Sequence, residues 1–301
     1  MKNKIMGIVI AVVFVILSST KVSAKNINVT GSDLWTTVNY EPGVYTNAQG
    51  MCMDDKYVYV ARLNNSNDST KIYKIEKSTG KKVAERAYKD LENGLGHAND
   101  MTYCPDNNRI YVAAWGGTCK YSVVEIKPSD LSITKRYTTS QFQNMTARAS
   151  GIAYDSINKV FYIKNGDKIF VYGYDKNGKT IQSSQCIDQF GLDYGSYSNY
   201  TKQGIEAYDG LLFTPLWNES VNKQKSVVRI YDIKKTKQND KVKYNASYRR
   251  TDTYCNKNRD KFEMESIAFS SKGKMYFMTN GSTKSKPKNS YDEVFKVSFT
   301  K

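Results

Sequence analysis

Along the chain, short apolar runs alternate with clusters of Gly, Asn, Asp, Ser and Lys, and the runs are too short and too evenly spaced for helices. The clearest case is residues 96–115. The polar leader Gly96-His97-Ala98-Asn99-Asp100 opens a strand at Met101-Thr102-Tyr103. Cys104-Pro105-Asp106-Asn107-Asn108 then supplies a turn, and Arg109-Ile110-Tyr111-Val112-Ala113-Ala114-Trp115 returns as a second strand. This β-hairpin recurs. Related leader-strand-turn-strand units begin at Gln49-Gly50, Ser150-Gly151, Gln203-Gly204 and Glu265-Ser266.

The anchors Gly50, Asp100, Gly151, Gly204 and Ser266 lie 50, 51, 53 and 62 residues apart, and each unit has room for about four short antiparallel strands. That spacing predicts an all-β chain folded as a five-bladed β-propeller of four-stranded blades. The last unit leaves room for only three strands before Lys301. The partnerless segment at residues 26–38 is therefore expected to complete it, closing the ring and hiding its edge strands. A two-sheet sandwich of the same hairpins is the alternative fold, but it gives no reason for a repeated leader before each first strand. The polar stretch 186–202 is expected as a loop over one face.

Ahead of the repeats, Lys2 and Lys4 precede an apolar run over residues 5–17, and Val22-Ser23-Ala24 offers small residues at a cleavage position. Residues 1–24 thus read as a secretory signal, and residues 25–301 as one propeller domain. The run is shorter than the ~20 apolar residues of a spanning helix, and no later stretch reaches that length.

Charge changes the picture next. The chain has 45 Lys+Arg against 29 Asp+Glu, net +16, and loses Lys2, Lys4 and Lys21 with the signal, leaving 16 − 3 = +13. An exported protein of that charge is expected to be drawn to anionic polymers or glycans of a cell envelope. The competing reading is that lysines at strand edges keep a β protein soluble. Five cysteines, Cys52, Cys104, Cys119, Cys186 and Cys255, show no metal-ligand spacing. An odd count leaves one unpaired within a chain.

Propeller geometry points the leader of each first strand toward a central channel. The polar leader residues are thus the candidate ligand-binding positions: Gln49, Asn99, Asp100, Ser150, Gln203 and Glu263. Trp115 and Trp217, at the ends of second strands, are candidate platforms for sugar rings. His97, the only histidine, is a candidate general base, and Glu206 and Glu265 are candidate acids. A ring of carboxylate and amide oxygens also suits Ca²⁺. No Ser/His/Asp order, phosphate loop or zinc motif occurs, and no nucleic-acid motif supports specific nucleic-acid binding.

The unit form, a Gln-Gly or Asn-Asp leader followed by an apolar strand, a turn and a Tyr-Val strand, resembles the broad class of YVTN and NHL-like propellers. Three segments are similar to the C-terminal part of the helveticin J family of bacteriocins: Gln203-Gly204-Ile205-Glu206-Ala207-Tyr208-Asp209, Met264-Glu265-Ser266-Ile267 and Asp292-Glu293-Val294-Phe295-Lys296-Val297-Ser298. That resemblance covers about a third of the chain and implies an exported protein acting at bacterial envelopes. It supplies no site residues. The expected function is a secreted propeller that binds an envelope or extracellular polymer; the alternative is a hydrolase or lyase at the channel mouth.

Overall fold

A tyrosine or valine at every position of a middle strand is stable only if both faces of the sheet are covered. The fold supplies that cover. A computed structural model describes residues 28–90, 92–218, 225–254, 261–282 and 291–300; the expected signal at 1–24 and Cys255 lie outside them. After β1 (Asn28–Thr37), the first sheet is β2 (Tyr45–Met53), β3 (Tyr57–Asn64), β4 (Thr70–Glu76) and β5 (Lys82–Tyr88). The second is β6 (Asp100–Cys104), β7 (Arg109–Ala113), β8 (Tyr121–Ile126) and β9 (Ile133–Thr138), and the third is β10 (Gly151–Asp155), β11 (Val160–Asn165), β12 (Lys168–Tyr174) and β13 (Ile181–Gly191). In the fourth, β14 (Thr201–Lys202) and β15 (Glu206–Tyr208) share the inner position beside β16 (Leu211–Asn218), followed by β17 (Lys225–Gln238) and β18 (Lys241–Tyr254). The fifth is β19 (Lys261–Phe269), β20 (Met275–Ser282) and β21 (Glu293–Thr300), and β1 pairs antiparallel with β21 as its outermost strand. This is the five-bladed propeller closed by its N-terminal strand.

The core is five separate layers, one between each pair of neighbouring blades. Alternate residues of β3 part company: Tyr59 and Ala61 pack with Met101, Ile110 and Val112 of the second blade, while Val58 and Val60 pack with Ala268, Tyr276 and Met278 of the fifth. The tyrosines suit these layers because the ring fills the interior while the hydroxyl reaches a polar edge. Tyr59 donates to Asp54 Oδ2 (2.7 Å), Tyr172 to the Gln143 carbonyl (2.6 Å) and Tyr231 to the Asp193 carbonyl (2.9 Å). Cys52, Cys104 and Cys119 are buried and Cys186 half-buried, all four as free thiols. Cys52 and Cys104 belong to different layers, so they act as small apolar fillers.

Residues 186–191, expected in a loop, continue β13 in pairing with β12 across two register shifts. Their exposure does not alternate, which removed the strand signal. The fourth blade also extends beyond its neighbours. β17 and β18 are 14 residues each and meet at Asn239 and Asp240, both at positive φ (50° and 60°), as a two-residue hairpin requires. Lys234, Lys235, Lys237, Lys241 and Lys243 are exposed along that ribbon.

Ring closure has a buried lock. Arg62 Nε meets Asp292 Oδ2 at 2.7 Å, with both side chains fully buried, and the Asp292 carbonyl accepts the Val38 N–H at 2.9 Å. Blade one, blade five and the segment after β1 are thereby tied at one point. Removing one partner of such a pair strands a buried charge, so Arg62→Ala is expected to destabilise the fold by about 3–5 kcal/mol. Urea unfolding is the check.

Candidate functional site

The five anchor positions converge on the propeller axis. Four carry small residues, Gly50, Gly151, Gly204 and Ser266, and the fifth, Asp100, fills the space they leave. Its Oδ2 accepts the N–H groups of Ile152 (2.9 Å) and Ile205 (2.8 Å), and Ser266 Oγ lies 3.3 Å from Oδ1. Ser266 Oγ in turn accepts the Met51 N–H at 3.1 Å. This carboxyl thus ties blade two to blades three, four and five directly and to blade one through Ser266. A Cβ on Gly204 would lie 2.4 Å from Asp100 Cγ, and one on Gly50 2.6 Å from the Ala98 carbonyl oxygen, so close approach explains both glycines. Asp100, expected among the ligand-binding residues, has its carboxyl committed to these ties. Burial pushes its pKa up to about 7, against the opposing pull of the Ile205 and Ile152 N–H groups and of Lys164.

Asp100 separates two mouths. The one at the start of the inner strands is a cleft of about 410 Å³. It gathers Gln49, His97, Asn99, Trp115, Ser150, Gln203, Glu263 and Glu265, together with Asn47, Asn67, Lys202, Lys261 and Asn280. Six neutral amides, two carboxyls, two ammonium groups and an exposed tryptophan therefore face one space.

Strand β19 builds the acidic floor. Glu263 pairs across to Asn280 in regular register, but a bulge between Met264 and Ser266 leaves Glu265 as an extra residue. Simple alternation already puts Glu263 and Glu265 on one face and would send Ser266 to the other; the bulge brings Ser266 back toward the axis. Glu263 is spoken for: Lys261 Nζ sits 2.7 Å from Oε2, and Gln203 Nε2 donates to Oε1 at 2.6 Å. Glu265, 4% exposed, receives a long hydrogen bond from Asn280 Nδ2 (3.4 Å). Burial, followed by the neighbouring Glu263 carboxylate, raises its pKa well above the usual range, with Lys261 pulling weakly the other way. Its surroundings therefore favour the protonated, proton-donating form of the Glu265 carboxyl.

His97 stands edge-on to Trp115, with ring centroids 6.4 Å apart, and Gly116 leaves it room, since a Cβ there would lie 2.4 Å from the imidazole. Burial and then Arg148 lower its pKa, so the ring is neutral at pH 7. The Asn99 Oδ1 atom is buried in the cleft wall without a hydrogen-bond partner. Trp217 does not line the cleft. It pairs with Thr201 at the cleft edge and carries the Lys261 ammonium 5.4 Å above its ring.

Glu206 lies beyond Asp100, in the opposite mouth. The three acid–base candidates are therefore not one cluster: His97 and Glu265 share a cleft and Glu206 does not. Lys261 and Asn280 were missed from the sequence. Unbroken pairing outward from the β19–β20 turn would set Asn280 opposite Met264, and only the bulge at Glu265 brings it opposite Glu263; Lys261 is two residues before Glu263 on the same face. Among the described residues, no group of three His, Cys, Asp or Glu side chains could hold a metal ion.

The buried acids set a direction for stability against pH. Asp100 and Asp292 rise from 3.8 to about 7, mainly through burial, and Glu206 and Glu265 rise also. For a carboxyl whose pKa is raised in the folded state, the folded protein holds more protons. Its stabilising contribution is complete below the unfolded pKa and is lost as pH rises through the folded pKa. Thermal unfolding is thus expected to show Tm falling between about pH 4.5 and about pH 7.5. A Tm rising across that window contradicts the assignment.

No family model matches the sequence, and no curated protein matches it. Among solved structures the chain is similar to the glutaminyl cyclase of Myxococcus xanthus, at 10% identity over 91% of this chain and 96% of that one, with a TM-score of 0.49. It is also similar to an exo-β-1,3-galactanase of Phanerochaete chrysosporium (10% identity, 92% of this chain and 65% of that one, TM-score 0.49). A third is the allergen Mala s 1 of Malassezia sympodialis (10% identity, 83% and 78%, TM-score 0.45). At these values the likenesses say nothing about the chemistry of the cleft.

Proposed function

We propose that this is an exported glycan-processing enzyme that takes the end of a sugar chain into the His97–Glu265 cleft and cleaves it by acid–base hydrolysis. One observation carries the reading: Glu265, a buried carboxyl whose pKa burial raises well above the usual range, faces a cleft that six side-chain amides share with His97, Trp115, Glu263 and two lysines. Amide groups match the paired donors and acceptors of sugar hydroxyls, and the exposed Trp115 offers an apolar face to a ring. Because Asp100 blocks the axis, the cleft accepts a chain end and not a threaded chain.

In the reaction Glu265 gives its proton to the glycosidic oxygen as the C–O bond breaks. His97, whose pKa burial and then Arg148 hold down, takes a proton from the water whose oxygen joins the anomeric carbon. Lys261 and Gln203 hold the Glu263 side chain in place beside the developing positive charge. Export rests on the basic, apolar and small-residue segments of residues 1–24. The test is a panel of neutral and acidic oligosaccharides, incubated with and without Ca²⁺ and followed by mass spectrometry. Release of terminal units is the expected result. Intact glycans throughout the panel overturn it.

The lysines along the β17–β18 ribbon favour a second reading, a bacteriocin-like binder of anionic envelope polymer without turnover. It predicts binding that weakens steeply with salt. Binding that persists unchanged in high salt counts against it.

A further inference from the structure

The mouth beyond Asp100 is chemically unlike the first. It is a pocket of about 460 Å³ at the ends of the inner strands, and among the described residues no Asn or Gln lines it. Its walls are aromatic: Tyr103, Tyr154, and the pair Tyr208 and Phe269, stacked at 4.5 Å with only 9° between their planes. Its ionisable groups are mainly acids. Glu206 sits at the inner end toward Asp100, and Asp54 and Asp55 lie at the rim, in a protein whose net charge is +16. The one lining cation among the described residues, Lys56, holds its ammonium 5.2 Å from the ring of Tyr57, which is not a lining residue.

Two of the three acids differ in what they have left to offer. Asp54 accepts the Tyr59 hydroxyl and the N–H groups of Lys56 and Tyr57. Glu206 keeps an oxygen, Oε2, that is shielded from solvent and has no hydrogen-bond partner. A buried acceptor left unmatched in a walled pocket calls for a ligand that satisfies it. Aromatic walls with an acid at the inner end suit a cation bearing apolar substituents: ring faces attract the charge, methyl groups fill the walls, and the carboxyl, which burial and then Asp100 bias toward its protonated form, releases its proton to solvent as the cation binds and supplies the counter-charge. Ser156, Ser270 and Ser271 complete the lining, without the paired donors and acceptors of the amides in the other mouth.

We propose that this second mouth is a binding site for an organic cation of the alkylammonium class, with Glu206 as its counter-ion and Tyr208 as part of its aromatic wall. The site is independent of the glycan reading, since it lies across Asp100 from Glu265.

The test is calorimetric titration of the purified protein with choline, and in parallel with dimethylbutanol, its uncharged carbon isostere. Saturable choline binding is expected, with the isostere about tenfold weaker or worse. Glu206→Gln and Tyr208→Ala are each expected to weaken choline by about tenfold, and Glu265→Gln to leave it unchanged. Equal binding of choline and its isostere, no choline binding, or a loss in Glu265→Gln alone would overturn the site. Should Glu206→Gln fail to fold, Tyr208→Ala at the wall decides.

Discussion

Exchanging Asp100 for alanine is expected to cost the fold about 3–5 kcal/mol, a large part of the 5–15 kcal/mol that a domain of ordinary stability possesses. The Ile152 and Ile205 N–H groups lose their acceptor in a space where these residues and the aspartate are at most 2% exposed, and each stranded donor carries its own desolvation penalty. Ser266 loses its link to the axis as well. Asp100→Asn, which keeps one oxygen acceptor at nearly the same volume, is expected to lose much less. Gly204→Ala should approach the alanine variant from the other side, because its new methyl collides with the aspartate. Urea midpoints for the three variants decide the matter. A loss below about 1 kcal/mol in Asp100→Ala, the worth of one ordinary hydrogen bond, would mean that the axis does not hold the blades together.

The second large effect concerns turnover. Glu265→Gln preserves shape and can still accept the Asn280 hydrogen bond, but it has no proton to give. On the proposed cleavage it should lower kcat by about a hundred- to ten-thousand-fold, with KM little changed. The fold should be no less stable, since the change removes a buried acid that costs the folded state as pH rises. An equal loss of affinity and rate would instead make Glu265 a sugar-holding residue. His97→Ala should flatten the acid limb of the pH–rate profile while leaving the C–O cleavage partner in place.

Much of the propeller is written in the chain because its middle strands are buried on both faces, which forces runs such as Tyr57-Val58-Tyr59-Val60-Ala61 and repeats them at near-constant spacing. The gathering of Gln49, His97, Asn99, Ser150, Gln203, Glu263 and Glu265 at one mouth followed from leader position alone. The identity of the hub did not. Asp100 occupies the same place in its unit as three glycines and a serine, and only convergence of five strands on the axis shows that one large residue needs four small neighbours.

The acids Glu206 and Glu265 looked equivalent because both flank an anchor. Glu206 follows Gly204 by two residues and so points past the axis, whereas Glu265 precedes Ser266 by one and stays before it. The bulge at Glu265 was hidden for the reason any one-residue slip is hidden: it reverses the faces of a strand without altering its composition. Arg62 carried no signal either, since a fully buried arginine is recognised only once Asp292, from the far end of the chain, is beside it.

The account stands or falls on Glu265 retaining its proton in the cleft. Infrared difference spectroscopy at neutral pH, wild type minus Glu265→Gln, reads this without knowledge of the substrate. The account predicts a carboxylic-acid C=O band in wild type that the variant lacks, with no loss in the carboxylate bands. A difference spectrum showing a lost carboxylate and no acid band would contradict it.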